Sequence, residues 1–204
     1  MGTRNYKTYL VTMALVPAML LMAFSGVSSK AVNDFSLKNV NGKAVSLKNY
    51  PHAKGFIIVF TCNHCPFAKL YYNRMNELDK HYKKLGVPLI AISSADTVNY
   101  EEDSYEKMVA LANKQHFSFP YLYDAMQVVA KDYDAKKTPH AYVVWKEQGK
   151  WMVKYNGAID DNGAHADLVK NAFIAKAVDE LLAGKEVTVK ETKSVGCGIN
   201  LRKQ

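Results

Sequence analysis

The 204 residues are 49% hydrophobic and 23% charged. That is ordinary globular composition for a chain long enough to bury one sizeable core, and it excludes a disordered or fibrous protein. The formal charge is +8, yet the lysines are scattered among acids and no nucleic-acid motif accompanies them, so the excess reads as a solvated basic surface with no nucleic-acid partner.

In chain order, Arg4 and Lys7 precede the uncharged apolar run "LVTMALVPAMLLMAF", which gives way to the small and polar "SGVSSKA". This is the layout of a secretory signal, with Val27 and Ser29 bordering the cut. The run falls short of the about 20 residues a spanning helix needs. The alternative is an uncleaved N-terminal anchor, the one case in which a membrane would be a partner. Both place the remaining chain outside the cytoplasm, secreted or periplasmic, where disulfides persist. Residues 1–29 are thus set apart. Without Arg4 and Lys7 the chain carries 25 Lys and Arg against 19 Asp and Glu, a net +6.

"DFSLKNVNGKAVSL" holds two short alternating runs about Asn41-Gly42 and predicts a β-hairpin. "GFIIVF" is continuously apolar and β-branched, as a strand buried on both faces would be. From Phe67, apolar residues recur at spacings of three and four through Leu85, predicting a helix ended by Gly86 and Pro88. "PLIAISS" predicts a second buried strand, "SYEKMVALANKQ" a second helix, and "QVVAKDY" a short helical piece. "TPHAYVVW" and "WMVKYNG", separated by "KEQGK", predict a hairpin. A last helix is predicted through "ADLVKNAFIAKAVDELLAG", with Leu168, Val169, Ala172, Phe173, Val178 and Leu181 toward the core. The sum is an α/β fold: a mixed central sheet flanked by helices, with the first hairpin as an N-terminal extension. Its domain spans 32–184, and a polar tail at 185–204, expected to be mobile, carries Cys197.

Two of the three cysteines, Cys62 and Cys65, straddle Asn63-His64 between the first buried strand and the helix. Thiols at such a junction meet unpaired backbone N–H groups and the positive end of a helix dipole, which favour a thiolate. Cys62 is therefore expected as the nucleophile and Cys65 as the resolving thiol, with His64 adding positive charge when protonated. The chemistry is thiol-disulfide exchange, in which Cys62 attacks a partner's disulfide and Cys65 attacks back.

"FIIVFTCNHCPFAK", the preceding hairpin and "KKTPHAYVVW" together resemble the thioredoxin-like superfamily, and within it the redoxins related to alkyl hydroperoxide reductase and thiol-specific antioxidant proteins. The likeness runs from about Val32 to about Gly184. It implies that Thr138-Pro139 is a cis-proline loop beside the reactive cysteines, with the Thr138 backbone left to pair with an extended substrate. His140 follows as a residue lining that site. It implies partners that are protein or small-molecule thiols and disulfides, and an electron donor or acceptor thiol protein. The redox-active disulfide itself serves in place of a cofactor.

Departures from the family pattern bear on the chemistry. A peroxiredoxin site resembles Pro-X-X-X-Thr-X-X-Cys-Pro; aligned on Cys65-Pro66, its threonine falls on Cys62 and its proline on Ile58, and no arginine matches. Disulfide exchange gains, while action on peroxides as a thiol peroxidase or antioxidant protein stays as the alternative. The buried aspartate of thioredoxin is replaced by Phe56, so proton handling for Cys65 must come from elsewhere. A second alternative is a copper or zinc metallochaperone using Cys62, His64 and Cys65 with Cys197 or His140. Extracytoplasmic copper chaperones space their cysteines Cys-X-X-X-Cys, one residue wider, so no metal ligand is assigned. Cys197, in "VGCGIN", is a candidate third redox cysteine that relays to the other two; its alternatives are a bridge to another molecule and a free thiol without a role.

Overall fold

The computed structural model describes residues 30–202 together with Met1 and Gly2; the predicted signal or anchor lies outside the described residues. Among the described residues no helix is long and apolar enough to cross a membrane. The chain opens with strands β1 (Ala31–Val32), β2 (Leu37–Asn39) and β3 (Ala44–Val45), the last two forming the predicted hairpin with Gly42 at a φ of 82°. Strand β4 (Gly55–Phe60) leads into helices α1 (Pro66–Lys69) and α2 (Tyr72–Tyr82). Strand β5 (Leu89–Ser93), helix α3 (Tyr105–Lys114), strand β6 (Tyr121–Tyr123) and helix α4 (Val128–Tyr133) follow. The chain then forms β7 (Lys137–Thr138), β8 (His140–Glu147), β9 (Lys150–Gly157), helix α5 (Phe173–Leu182) and β10 (Cys197–Gly198).

Eight strands make one mixed sheet in the order β1-β9-β8-β4-β5-β6-β2-β3. β4 is central because all six of its residues are buried. It pairs parallel with β5 and antiparallel with β8, so both of its edges are satisfied within the sheet. Alternation divides its side chains. Ile57 and Val59 pack with Met75, Tyr82, Met108, Ile174 and Val178 from α2, α3 and α5. Phe56, Ile58 and Phe60 pack with Val129, Ala130 and Tyr133 around α4 and with Leu47 and Phe35 from the N-terminal segment. The hairpin β8–β9 closes through Gln148 and Gly149, both at positive φ, as a two-residue turn matched to strand twist requires.

Three expectations are corrected. The helix expected from Phe67 is broken at Leu70–Tyr71 into α1 and α2, and Phe67 and Leu70 are left exposed beside the break. The last helix begins only at Phe173, and Leu168 is exposed. The Asp161 carboxylate accepts the backbone N–H groups of Lys170 and Asn171, each at 3.0 Å, which holds that stretch as a loop. The tail is not free. The Thr192 N–H bonds the Asn156 carbonyl at 3.0 Å, and Cys197–Gly198 pairs with β7.

Gly55 shows how tightly the far end of β4 is packed: a Cβ there would lie 2.3 Å from the Trp145 ring and 2.5 Å from the Val144 carbonyl oxygen. Neither tryptophan is near the cysteines, for Trp145 sits opposite Gly55 and Trp151 packs edge-on against Phe56. Gly55→Ala is expected to lower unfolding free energy by about 1–3 kcal/mol, the usual cost of overpacking. A shift in the urea midpoint at constant m-value measures it, and an unchanged midpoint would show that the Trp145 ring yields freely.

Candidate active site

The site forms where β4 ends. Cys65 caps α1 and Pro66 takes its first position, where a missing N–H sacrifices no helical bond. Cys62 lies three residues earlier, on the turn, and is therefore not the residue at the helix terminus. The turn is held from several sides. The Tyr72 hydroxyl donates to the Cys62 carbonyl at 3.1 Å, and the Asn63 side chain accepts from the Tyr121 hydroxyl at 2.9 Å and donates to the Glu102 carbonyl at 2.7 Å.

Asp103 is the main support, and sequence reasoning missed it. Fully buried in a short 3-10 turn, it accepts the Asn63 N–H at 2.5 Å and the His64 N–H at 3.3 Å on one oxygen, and pairs with His64 Nδ1 through the other. The His64 ring also stacks on Tyr100, centroids 3.9 Å apart. His64 is thus held between the Asp103 carboxylate and the Tyr100 ring.

The Thr138-Pro139 bond is cis, as the resemblance implied. Thr138 brings the two thiols together: its Oγ1 lies 3.2 Å from Cys62 Sγ, and its carbonyl accepts from the Cys65 thiol at 3.1 Å. Its backbone is not open to a substrate here, because Cys197 stands directly opposite it in the β7–β10 pair. Cys197 packs with Cys62, Cys65 and Ala68, so the structure gathers all three cysteines at one point. Each is a free thiol.

The three thiols differ in how their surroundings treat a negative charge. Burial pushes the Cys62 thiol up to about 12; the Thr138 hydroxyl opposes this, and the nearby Asp103 carboxylate reinforces it. Cys65 and Cys197 titrate as a pair. Burial also resists ionisation of Cys65, and the Thr138 carbonyl holds its proton in the neutral state. Once it ionises, the Cys197 thiol, Thr138 and the N–H groups of Ala68 and Cys197 stabilise the anion, bringing Cys65 below its ordinary value. Burial, followed by the bond to Cys65, raises Cys197 to about 11. These surroundings favour a negative charge at Cys65 over one at Cys62.

Cys62, His64 and Asp103 place a sulfur, a nitrogen and an oxygen within 4.8 Å of one another, a set able to hold a metal ion. An ion there would have to replace the His64–Asp103 contact. Neither His140 nor Cys197 belongs to this set.

His140, expected to line the site, follows the cis-proline at the start of β8. It is buried opposite Phe60, and its Nδ1 accepts from the Lys136 N–H at 3.3 Å and lies 3.2 Å from the Tyr142 hydroxyl. It braces the loop that carries Thr138. Burial holds its pKa down at about 4. An unfolded histidine takes up a proton below about 6.5, so stability is expected to fall as pH drops from about 6.5 to about 4. His140→Gln should flatten that loss, as read from melting temperatures at pH 7 and 4.5; an unchanged slope would assign it to other groups.

Residues 28–161 match the AhpC/TSA family. Among solved structures, the chain is similar to an uncharacterized conserved protein from Geobacillus kaustophilus, 36% identical with a TM-score of 0.78 over 86% of this chain and 93% of that one. Its fold is also that of peroxidoxin BcpB from Mycobacterium tuberculosis, 18% identical with a TM-score of 0.52 over 76% and 93% of the two chains. It is 29% identical over 83 residues to probable glutathione peroxidase 5 from Arabidopsis thaliana, 41% of this chain and 47% of that one, so it spans about half of that relative's length. With the family match covering more than half of the chain, beside a thioredoxin-like sheet and a cis-proline loop, the chain belongs to the AhpC/TSA family.

Proposed function

We propose that this protein is an extracytoplasmic thiol-disulfide oxidoreductase in which Cys65 and Cys62 form the working dithiol. The observation that carries this is their convergence on one residue of the cis-proline loop, at 3.1 Å and 3.2 Å from Thr138 atoms. The Cys65 thiolate attacks one sulfur of a partner disulfide and the other sulfur leaves with the electron pair, giving a mixed disulfide. Cys62 then gives up its proton and attacks Cys65 Sγ, closing a Cys62–Cys65 disulfide and releasing the second partner thiol. Two electrons pass to the partner, and the reverse sequence oxidises a partner dithiol. Substrates are protein or small-molecule disulfides and thiols, and a separate thiol protein resets the couple. Disulfide reduction potentials span about −270 mV for a reductant to about −120 mV for a strong oxidase.

A peroxidase reading draws on Cys65-Pro66, which takes the register of the peroxidatic Cys-Pro, and on the thiolate favoured at Cys65. The described arginines weigh against it. Arg74 is committed to Asp160 and to the Asn162 and Gly163 carbonyls, and Arg202 to the Ala125 carbonyl. The location outside the cytoplasm rests on the signal pattern before Lys30. Mass spectrometry of the mature chain should find an N-terminus between Val27 and Ala31, and an intact Met1 would favour the anchor.

In a peptide-disulfide reductase assay Cys65→Ser is expected to lose activity at least ~100-fold, because the attacking thiolate is gone. The Cys62→Ser, Cys197→Ser double variant, which lacks both neighbouring thiols, should accumulate a mixed disulfide at Cys65. Retained activity in Cys65→Ser would overturn the assignment, and hydrogen peroxide consumed faster than peptide disulfide would favour the peroxidase.

A further inference from the structure

Access to the dithiol poses a problem that the tail answers. Cys62 and Cys65 are 1% and 0% exposed, whereas Cys197, packed against them, is only partly buried. The tail covers them as a strand. Cys197 and Gly198 pair antiparallel with Thr138 and Lys137, and the Ile199 N–H continues the ladder to the Lys136 carbonyl at 3.0 Å. This is the backbone edge on which an extended substrate would add itself. Contact is close enough to demand glycine before the cysteine: a Cβ on Gly196 would lie 2.0 Å from the Thr138 carbonyl oxygen.

The strand is anchored on both sides. Upstream, Thr192 Oγ1 bonds the Tyr155 hydroxyl at 2.5 Å and accepts the Ala158 N–H at 3.0 Å. Downstream, the fully buried Gln127 donates its amide to the Ser94 and Asn200 carbonyls, both at 2.9 Å, and accepts the Arg202 N–H at 2.8 Å. A solvated polar tail would gain little from these contacts, whereas a sulfur held against Cys65 is poised to react.

We propose that residues 196–199 are a resident substrate strand, seated on the cis-proline edge so that Cys197 forms a disulfide with Cys65 and serves as the sulfur at which external thiols exchange. The inference rests on the dithiol reading above. Starting from the Cys62–Cys65 disulfide, Cys197 Sγ gives up its proton and attacks Cys65 Sγ. The Cys62–Cys65 bond breaks, a Cys65–Cys197 bond forms, and Cys62 leaves as a thiolate that takes up a proton. No electrons are gained or lost in that step. An external dithiol then attacks Cys197 Sγ, Cys65 leaves with the electron pair, and the second external thiol displaces Cys197 as its own disulfide forms. The net transfer is two electrons from the dithiol to the protein. The low proton affinity of Cys65 suits it to leave, since exchange is faster from the more acidic thiol.

The test uses the mature protein and its Cys62→Ser, Cys197→Ser and Gly196→Ala variants, equilibrated with glutathione disulfide, quenched in acid and mapped by mass spectrometry. Cys62→Ser should contain a Cys65–Cys197 disulfide in most molecules. Gly196→Ala, which keeps all three cysteines but lifts the strand, should hold mainly Cys62–Cys65. Dithiothreitol should reduce the oxidised wild type at least ~10-fold faster than Cys197→Ser, because only the wild type offers the outer sulfur. If Cys62→Ser yields only glutathionylated or free Cys65 while the wild type forms Cys62–Cys65, the resident strand is overturned and the dithiol stands. If no variant forms a disulfide at Cys65, the dithiol reading itself fails.

Discussion

The site depends on one residue of the loop between α4 and β8. Thr138 faces Cys62 with its hydroxyl, Cys65 with its carbonyl and Cys197 with its backbone edge. The loop is fixed by Pro139 on one side and by the buried His140, which ties Lys136 to Tyr142, on the other. Behind it, β8 lies along the full length of β4, so the loop and the cysteine turn leave the same end of one strand pair. The sheet thereby sets the spacing of the thiols.

Environment divides their roles. Cys62 is buried with a carboxylate nearby, and both influences keep it protonated. Cys65 is equally buried in surface terms, but donors surround it. The cap of α1 and the neighbouring Cys197 and Thr138 favour a negative charge at Cys65. Asp103 fixes the cysteine turn. It occupies no position comparable to the thioredoxin aspartate, whose place is taken by the core residue Phe56, yet it brings a buried carboxylate to the cysteine turn from the opposite strand connection.

What could be read in the sequence were the features encoded locally. The run "GFIIVF" announces a doubly buried strand, "KEQGK" a turn, and Cys-X-X-Cys followed far downstream by Thr-Pro a thioredoxin-like site. What could not be read depends on contacts between distant segments. Asp103 lies 40 residues from Asn63 in an irregular acidic stretch whose residues resemble surface residues. Leu168 fits a helical spacing, but Asp161 captures the backbone just beyond it and the helix starts later. The tail is polar and glycine-flanked, which reads as mobile. Only the folded structure shows that Gln127 and Thr192 hold it and that Gly196 is needed against Thr138.

The central claim is that the first thiolate in the site belongs to Cys65. Titration of the reduced protein from pH 5 to 11, following thiolate absorbance at 240 nm, tests it without requiring a reagent to reach the buried sulfurs. The account predicts one thiolate appearing below the ordinary cysteine range, lost in Cys65→Ser and retained in Cys62→Ser. A low-pH transition that vanishes in Cys62→Ser and persists in Cys65→Ser would contradict it and restore Cys62 as the nucleophile.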